Sequence, residues 1–137
     1  MDKVVIRKGI FETSSSSEDS LSVYQSMGLF ILPKKEYKKF INGELYVNFS
    51  GMKPSFTDDE EEMLTANEKF INELGINRDL KSLEQLGSYL IYNHRSELYI
   101  NYNIYLRMVN GHFSDADYFE YENGNEVIFG YYGYMLD

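Results

Sequence analysis

The longest regular pattern of apolar and polar residues in this chain is LYINYNIYLRMV, from Leu98 to Val109. One set of alternate residues is apolar: Leu98, Ile100, Tyr102, Ile104, Leu106 and Met108. The other set is mixed and includes two asparagines and an arginine. Since successive side chains of a strand point to opposite faces, this pattern predicts one long strand with a buried face and a partly wet face. One-sided burial of this kind is typical of antiparallel sheets.

A strand and a short helix are predicted on either side of Pro33. Residues 28–32, GLFIL, favour a buried strand that ends at Pro33, because proline cannot donate the hydrogen bond that would continue the ladder. Residues 34–41 place Tyr37 and Phe40 at helical spacing, and Gly43 follows the predicted helix end. A hairpin that turns at Asn42 and Gly43 is the alternative.

Two more strands and a serine-rich turn are predicted in the first fifty residues. KVVIRKGIF at 3–11 favours a short strand broken at Gly9, and LYVNF at 45–49 alternates as a strand does. The four serines of residues 14–17 stand between apolar segments. We therefore expect a tight turn there, in which serine hydroxyls hydrogen-bond nearby backbone groups.

A pair of helices is predicted after a loop at 51–56. The first begins at Thr57, since Thr57 and Glu60 form a capping box, and it ends at Gly75. Its apolar side consists of Met63, Leu64, Phe70, Ile71 and Leu74. The second spans about residues 80–93, with Ser82 and Gln85 as a possible cap and with an apolar stripe of Leu80, Leu83, Leu86, Leu90 and Ile91. Their short connection predicts an antiparallel pair packed on the sheet.

The C-terminal segment carries the clearest turn in the chain. After a loop at 111–117, Asn123-Gly124 predicts a β-hairpin with Glu122 opposite Asn125 and Phe119 opposite Ile128. Length and pattern together predict a single α+β domain over residues 1–137. We expect an antiparallel or mixed sheet of roughly five to seven strands, two adjacent helices on one face and the C-terminal hairpin near an edge.

Charge is distributed unevenly, with a net value of −9 for the whole chain. Residues 1–53 contain eight Lys or Arg and six Asp or Glu, whereas residues 54–137 contain five and sixteen. Since phosphate repels such a field, direct nucleic-acid binding is disfavoured, and a basic protein partner is favoured. Acidity that serves solubility alone is the other interpretation.

Composition disfavours several classes of function. The chain has no cysteine, which excludes disulfides, thiolate metal sites and thiol nucleophiles. No stretch approaches the roughly 20 apolar residues of a membrane span, and the N-terminus lacks a signal-peptide core, so we expect a cytoplasmic protein without a membrane partner. Catalytic and phosphate-binding motifs are missing as well, so no cofactor is expected and an enzyme is not favoured.

Residues 7–17, RKGIFETSSSS, followed by Ser20-Leu21, resemble an N-terminal pattern of small, mostly uncharacterised proteins of tailed bacteriophages and prophages. That pattern reads RKG, an apolar residue, FETNSSS, and later His-Ser. Ser14 stands in place of its asparagine, and Glu18-Asp19 stand in place of a pair that ends in histidine. A function that depends on that histidine is therefore not expected. The resemblance implies a phage accessory protein made in the cytoplasm of a bacterial host.

Two groups of residues are candidates for partner binding. The first is the acidic run at the start of the predicted helix: Asp58, Asp59, Glu60, Glu61 and Glu62. The second combines acidic and aromatic residues of the hairpin: Glu120, Glu122, Glu126, Tyr131, Tyr132 and Tyr134. Exposed tyrosines in a negative field suit the binding of a basic protein. Packing of these tyrosines under the helices, and simple capping by the acidic run, are the alternatives.

A weak metal site is the other chemical candidate, formed by His112, Asp115 and Asp117. The spacing matches no established site, and a turn or cap explains these residues equally well. Our leading hypothesis is a phage-encoded accessory protein that inhibits a basic host protein, such as a nucleic-acid-handling or defence factor of the CRISPR effector kind. A small-ligand or metal-binding module, an enzyme, and a phage structural or assembly protein are the alternatives.

Overall fold

A computed structural model of the protein describes residues 4–6, 25–86, 89 and 98–135, and within these ranges it contains helices and antiparallel strands. The described strands are β1 (Val4–Ile6), β2 (Gln25–Pro33), β3 (Tyr46–Asn48), β4 (Ser55–Thr57), β5 (Tyr99–Ile100), β6 (Phe113–Asn123) and β7 (Glu126–Met135). The described helices are α1 (Lys34–Ile41), α2 (Glu60–Ala66), α3 (Glu68–Leu74), α4 (Leu80–Leu86) and α5 (Tyr102–His112). The predicted α+β class is confirmed.

The strands form two antiparallel sheets rather than the one sheet that we predicted. The larger sheet has the order β1-β6-β7-β2, and the smaller one has the order β4-β3-β5. The prediction that the C-terminal hairpin lies near an edge is wrong, because β6 and β7 are the two central strands of the larger sheet. One cluster of buried side chains includes residues of both sheets and of all five described helices. Within the described part of the chain, each helix is too short or too polar to cross a lipid bilayer.

The C-terminal hairpin is confirmed, but its turn lies one residue later than predicted, so each residue of β6 pairs with a residue two positions further along β7. Asn123 lies opposite Glu126 and Phe119 opposite Gly130, so the turn residues are Gly124 and Asn125. Gly124 has a φ of 64°, which a glycine adopts without steric cost. The predicted loop at 111–117 is wrong as well, because β6 already begins at Phe113.

The predicted long strand at 98–109 is wrong, since the chain forms a strand at residues 99–100 and then turns into helix α5. Asn101 starts this helix: its Oδ1 accepts a hydrogen bond of 2.9 Å from the backbone nitrogen of Ile104. The same segment also contains a helical stripe, because Ile104, Tyr105, Met108 and Val109 are all buried. The burial of residues at helical spacing, together with the asparagine cap, favours a helix more strongly than the alternation of apolar and polar residues favours a strand.

Substitution of Asn101 by alanine should destabilise the protein by about 1–2 kcal/mol, because it removes the cap of α5. It also removes the hydrogen bond of 3.0 Å from Asn101 Nδ2 to Glu84. Chemical denaturation measures this change. Asn103→Ala is the matched control, since Asn103 is exposed and its contact with Glu84 is long, at 3.4 Å. Equal stability of the two variants would contradict the capping role.

Helix α1 has the predicted boundaries. Its first residue, Lys34, donates its backbone N–H to the carbonyl oxygen of Asn125 at 2.7 Å, which ties the helix to the hairpin turn. At the other end Gly43 has a φ of 82° and donates to the carbonyl of Phe40, as in a Schellman motif. The alternative hairpin at residues 42–43 is therefore wrong.

The first helix of the predicted pair is divided into α2 and α3 at Asn67, and it ends at Gly75 as predicted. Asp59, rather than Thr57, is the N-cap, because its carboxylate accepts hydrogen bonds from the backbone nitrogens of Glu61 and Glu62. Residues 55–57, which we predicted to lie mostly in a loop, form β4. The apolar side is confirmed, since Met63, Leu64, Phe70 and Ile71 are buried.

Asn67 is 1% exposed and connects the joint between α2 and α3 to strand β5. Its Oδ1 accepts a hydrogen bond from the backbone nitrogen of Tyr99, and its Nδ2 donates to the carbonyl oxygen of Tyr99, both at 2.9 Å. A single buried carboxamide thus satisfies two backbone groups of the strand.

Helix α4 begins as predicted at Leu80, but Asp79 caps it rather than Ser82. The Asp79 carboxylate accepts a hydrogen bond of 2.8 Å from the backbone nitrogen of Ser82, and this bond lowers the pKa of Asp79. Leu83 is buried, and Glu84 faces α5 through its contact with Asn101. The remaining residues of the predicted stripe, Leu90 and Ile91, lie outside the described residues, as does the serine-rich segment.

Candidate functional site

An open cleft of about 330 Å³ lies between α1, β4 and the start of α2. Its lining combines carboxylates with apolar side chains: Glu36, Lys39, Leu45, Phe56, Thr57, Asp58 and Glu62. Two of these carboxylates belong to the acidic run that we predicted as a binding site. We call this feature the acidic cleft.

The acidic run does not act as one patch, because several of its members have contacts within the protein. Asp59 caps α2, and Glu60 accepts a hydrogen bond of 3.4 Å from the hydroxyl of Tyr46. Burial, and then the charge of Glu60, raise the pKa of Tyr46. Neither carboxylate is therefore free to serve a partner without a cost to the fold.

Glu61 forms the strongest ion pair of the run. Both of its oxygens accept hydrogen bonds from Arg78, at 3.1 and 2.6 Å, and Arg78 also donates to the hydroxyl of Thr65. This two-point contact lowers the pKa of the Glu61 carboxyl. Arg78 thereby fixes the start of α2 to the segment that precedes α4. These contacts indicate that Glu61 has a structural role rather than a role in partner binding.

Asp58 and Glu62 are the members of the run that line the cleft, and both are exposed. Asp58 lies 3.5 Å from the amine of Lys39, with 64% of its side chain exposed. Exposed pairs of this kind contribute about 0–1 kcal/mol, so a cation from another molecule can displace Lys39 at little cost.

Glu36 completes the cleft, and the sequence analysis missed it. It lies in the first turn of α1, a helix with four lysines, so its charge was hidden within a basic segment. Its place beside Asp58 and Glu62 depends on how α1 packs against α2. The sequence offered one signal for Glu36. A helical projection of α1 shows where Glu36 lies around the helix relative to the buried Tyr37 and Phe40.

Phe56 gives the cleft an exposed aromatic side chain. It is 39% exposed, and Met52, in the connection between β3 and β4, is 59% exposed. Large apolar side chains exposed among polar residues are a feature of protein-binding sites.

The acidic residues of the hairpin are held by other side chains. Glu120 accepts a hydrogen bond of 2.9 Å from the hydroxyl of Tyr37. Glu122 pairs with Lys34 at 2.6 Å, and Glu126 pairs with Lys53 at 3.5 Å. Helix α1 thus contacts both predicted groups, through Lys34 at the hairpin and through Lys39 at the cleft. These lysines neutralise part of the predicted acidic surface, through contacts between residues far apart in the sequence.

The hairpin tyrosines belong largely to the packing of the sheet. Tyr132 is 7% exposed and packs with Phe119, whereas Tyr131 is half-buried and its ring lies 6.1 Å from that of Tyr105. The side chain of Tyr134 lies outside the described residues. The tyrosines of the hairpin that the structure describes are therefore not a row of exposed rings.

The weak metal candidate gains no support from the described residues. Among the side chains that the structure describes, no group of three or more His, Cys, Asp or Glu is arranged to hold a metal ion. The side chains of His112 and Asp115 lie outside that set, and Asp117 is half-buried on β6. Comparison of the chain with protein-family models, with curated proteins and with solved structures gave no match in any of the three.

Proposed function

We propose that the protein binds a basic protein partner through the acidic cleft. The observation that carries this proposal is the position of Glu36, Asp58 and Glu62 around an exposed phenylalanine. Three carboxylates without a strong ion pair can bind one or two lysine or arginine side chains of a partner.

The cleft suits the two chemical halves of such a side chain. The charged head would lie among the carboxylates, while the aliphatic stem would pack on Leu45 and Phe56, the apolar residues that line the same cleft. The Phe56 ring also attracts a cation placed over its face. Arginine gains more than lysine from this arrangement, because its planar guanidinium can stack on the ring and bind a carboxylate through two hydrogen bonds.

The charge of the chain supports a partner that normally handles nucleic acid. Residues 54–137 carry eleven more acidic than basic side chains, and such a field accelerates encounters with a basic surface. Occupation of that surface would exclude its nucleic acid. The resemblance of residues 7–21 to phage and prophage proteins indicates a bacterial host as the source of the partner, so we propose inhibition of a host nucleic-acid-handling or defence protein.

Reversal of two cleft charges, by Glu36→Lys with Glu62→Lys, should abolish partner binding. Neither side chain forms an ion pair among the described residues, so the loss to the fold is confined to favourable helix-dipole contacts, about 0.3–1 kcal/mol each. Tagged wild-type protein and variant are compared as baits in nuclease-treated lysate of a bacterial host, and the bound material is identified by mass spectrometry. A basic protein retained by wild type alone and released by duplex DNA or RNA is the expected result.

The matched control carries the same change in charge at residues outside the cleft, Glu44→Lys with Glu73→Lys. Both side chains are exposed, and neither lines the cleft. The control should retain the partner with little loss, apart from the general effect of a less negative net charge. Equal retention by both variants, or a partner that nucleic acid does not displace, would contradict the proposed site.

A further inference from the structure

A second open cleft, of about 450 Å³, lies where helix α1 meets the turn of the C-terminal hairpin. Three of the four lysines of α1 line it, and the full set is Pro33, Lys34, Lys35, Lys38 and Asn125. We call this feature the lysine cleft. Lys34 pairs with Glu122, whereas Lys35 and Lys38 are exposed and form no ion pair with the residues that the structure describes. A chain with a net charge of −9 therefore presents two neighbouring lysines that its own carboxylates leave unpaired.

The lysine cleft and the acidic cleft flank the exposed face of the same helix. Successive residues of an α-helix are about 100° apart around its axis. Glu36 of the acidic cleft therefore lies roughly 160° around α1 from Lys38 of the lysine cleft. Lys35 and Lys39 lie between the two, and Lys39 already contacts Asp58 at 3.5 Å. The exposed surface of α1 is thus positive on one side and negative on the other.

Such a surface is complementary to a second copy of itself. In a dimer with twofold symmetry the same patch is used by both copies, so that every contact occurs twice. A twofold axis that runs parallel to α1 and passes near Lys39 brings the lysine cleft of each copy opposite the acidic cleft of the other. A twofold axis across α1 would instead bring like charges together. Residue 36 also lies between residues 35 and 38 along the helix, so the parallel arrangement places the opposite charges at the same level.

We propose that two copies of this chain form a closed dimer through α1, in which Lys35 and Lys38 of each copy bind the carboxylates of the other copy's acidic cleft. The aliphatic stems of the lysines pack on Phe56, which is 39% exposed in the single chain. The net charges of the two copies repel each other, but salt at about 0.1 M screens charges more than about 10 Å apart. The contacts between the clefts act over shorter distances. Because the two clefts are small beside the interface of an obligate dimer, we expect a reversible dimer.

The dimer occupies the cleft that we assign to the host protein, but it does not depend on that assignment. A second copy and a host protein would compete for the same carboxylates. Self-association would then lower the amount of chain that is free to bind the host protein, and this regulatory consequence, unlike the dimer, rests on the proposed function.

Sedimentation velocity of the purified full-length protein at about 0.1 M salt tests the dimer in the absence of any host component. The wild type should shift from monomer to dimer as its concentration rises. Two variants reverse the charge of one cleft each: Glu36→Lys with Glu62→Lys, and Lys35→Glu with Lys38→Glu. Each variant alone should associate at least about tenfold more weakly, because like charges then face each other at both contacts.

An equal mixture of the two variants should recover the dimer, because opposite charges again face each other at both contacts. A structural defect in either variant could not be repaired in this way. Two matched controls carry the same changes in charge at exposed residues outside both clefts: Glu44→Lys with Glu73→Lys, and Lys69→Glu with Lys81→Glu. Both controls should dimerise as the wild type does.

A wild type that stays monomeric at every concentration would overturn the proposal, as would a mixture that stays monomeric or a control that loses the dimer. Assemblies larger than a dimer would contradict the closed twofold arrangement. The variant Lys35→Glu with Lys38→Glu separates this proposal from the proposed function, because its acidic cleft is intact. It should be monomeric and still retain the host protein in the lysate experiment, so the two proposals can fail independently.

Discussion

Phe40→Ala should destabilise the protein by about 3–5 kcal/mol, which is a large part of the stability of an ordinary domain. Phe40 is fully buried, at 0% exposure. Four aromatic rings surround it at centroid distances of 5.2–5.9 Å: Phe49, Tyr102, Tyr105 and Phe129. Phe129 belongs to β7, Phe49 follows β3, and the two tyrosines belong to α5. Loss of the Phe40 ring therefore leaves a cavity where α1 packs against the rest of the core. Urea denaturation monitored by circular dichroism measures the effect.

Phe56→Ala is the control for this prediction, because it removes the same atoms from a residue that is 39% exposed. The cost there should be only about 1–2 kcal/mol, since a large part of the Phe56 side chain is already in contact with water. A similar loss of stability for both variants would show that Phe40 is not a central residue of the core.

Gly130→Ala should destabilise the protein by about 3 kcal/mol or more, at the upper end of the cost of overpacking. A Cβ atom at residue 130 would overlap the carbonyl oxygen of Gly28 on the neighbouring strand β2, and it would lie 3.1 Å from the Phe119 ring. Because the obstacle is backbone, a change of rotamer cannot relieve it. Denaturation midpoints, together with the expression level of soluble protein, report the effect.

Gly51→Ala provides the matched control, since a Cβ atom there meets nothing within 4 Å. Its stability should stay within about 0.5 kcal/mol of the wild type. If Gly130→Ala were equally harmless, β2 and β7 could not be packed as closely as the structure has them.

Local signals predicted the elements whose boundaries depend on nearby residues. Pro33 and Gly43 bracket α1, and Gly75 ends α3, because proline and glycine restrict or permit particular backbone angles wherever they occur. The hairpin was predicted for the same reason. Its exact position was not predicted, because the first residue of the turn is Gly124 rather than Asn123. A glycine with positive φ fits either turn position, so the register depended on contacts across the sheet.

Period alone could not distinguish strand from helix in residues 98–109. Tyr102 and Leu106 fit the apolar face of a strand, yet Tyr105 and Val109 are the more buried residues. Tyrosine and asparagine occur on buried and on exposed faces alike. The sequence of residues 98–109 therefore fitted an amphipathic helix as well as it fitted a strand. The deciding feature was Asn101, which caps the helix and bonds to Glu84, a residue 17 positions away.

The acidity of the surface was easier to predict than the contacts of the individual acidic residues. Composition indicated an acidic surface, but the contacts of Glu61 with Arg78 and of Glu122 with Lys34 join residues far apart in the sequence. Such contacts require the tertiary arrangement of the helices and the hairpin. The buried Tyr105 was hidden for the same reason, since the rings around it come from separate segments. Nothing in the sequence shows that its hydroxyl has no hydrogen-bond partner among the described residues.

The carboxamide of Asn67 also protects the smaller sheet against aggregation. Strand β5 is at the edge of that sheet, and an edge strand with unpaired N–H and C=O groups is a template for pairing with a second chain. Asn67 occupies both groups of Tyr99 in the way that a neighbouring strand would. One side chain therefore closes this edge to strand addition, so that any partner of the protein is directed to its side-chain surfaces rather than to the backbone of β5.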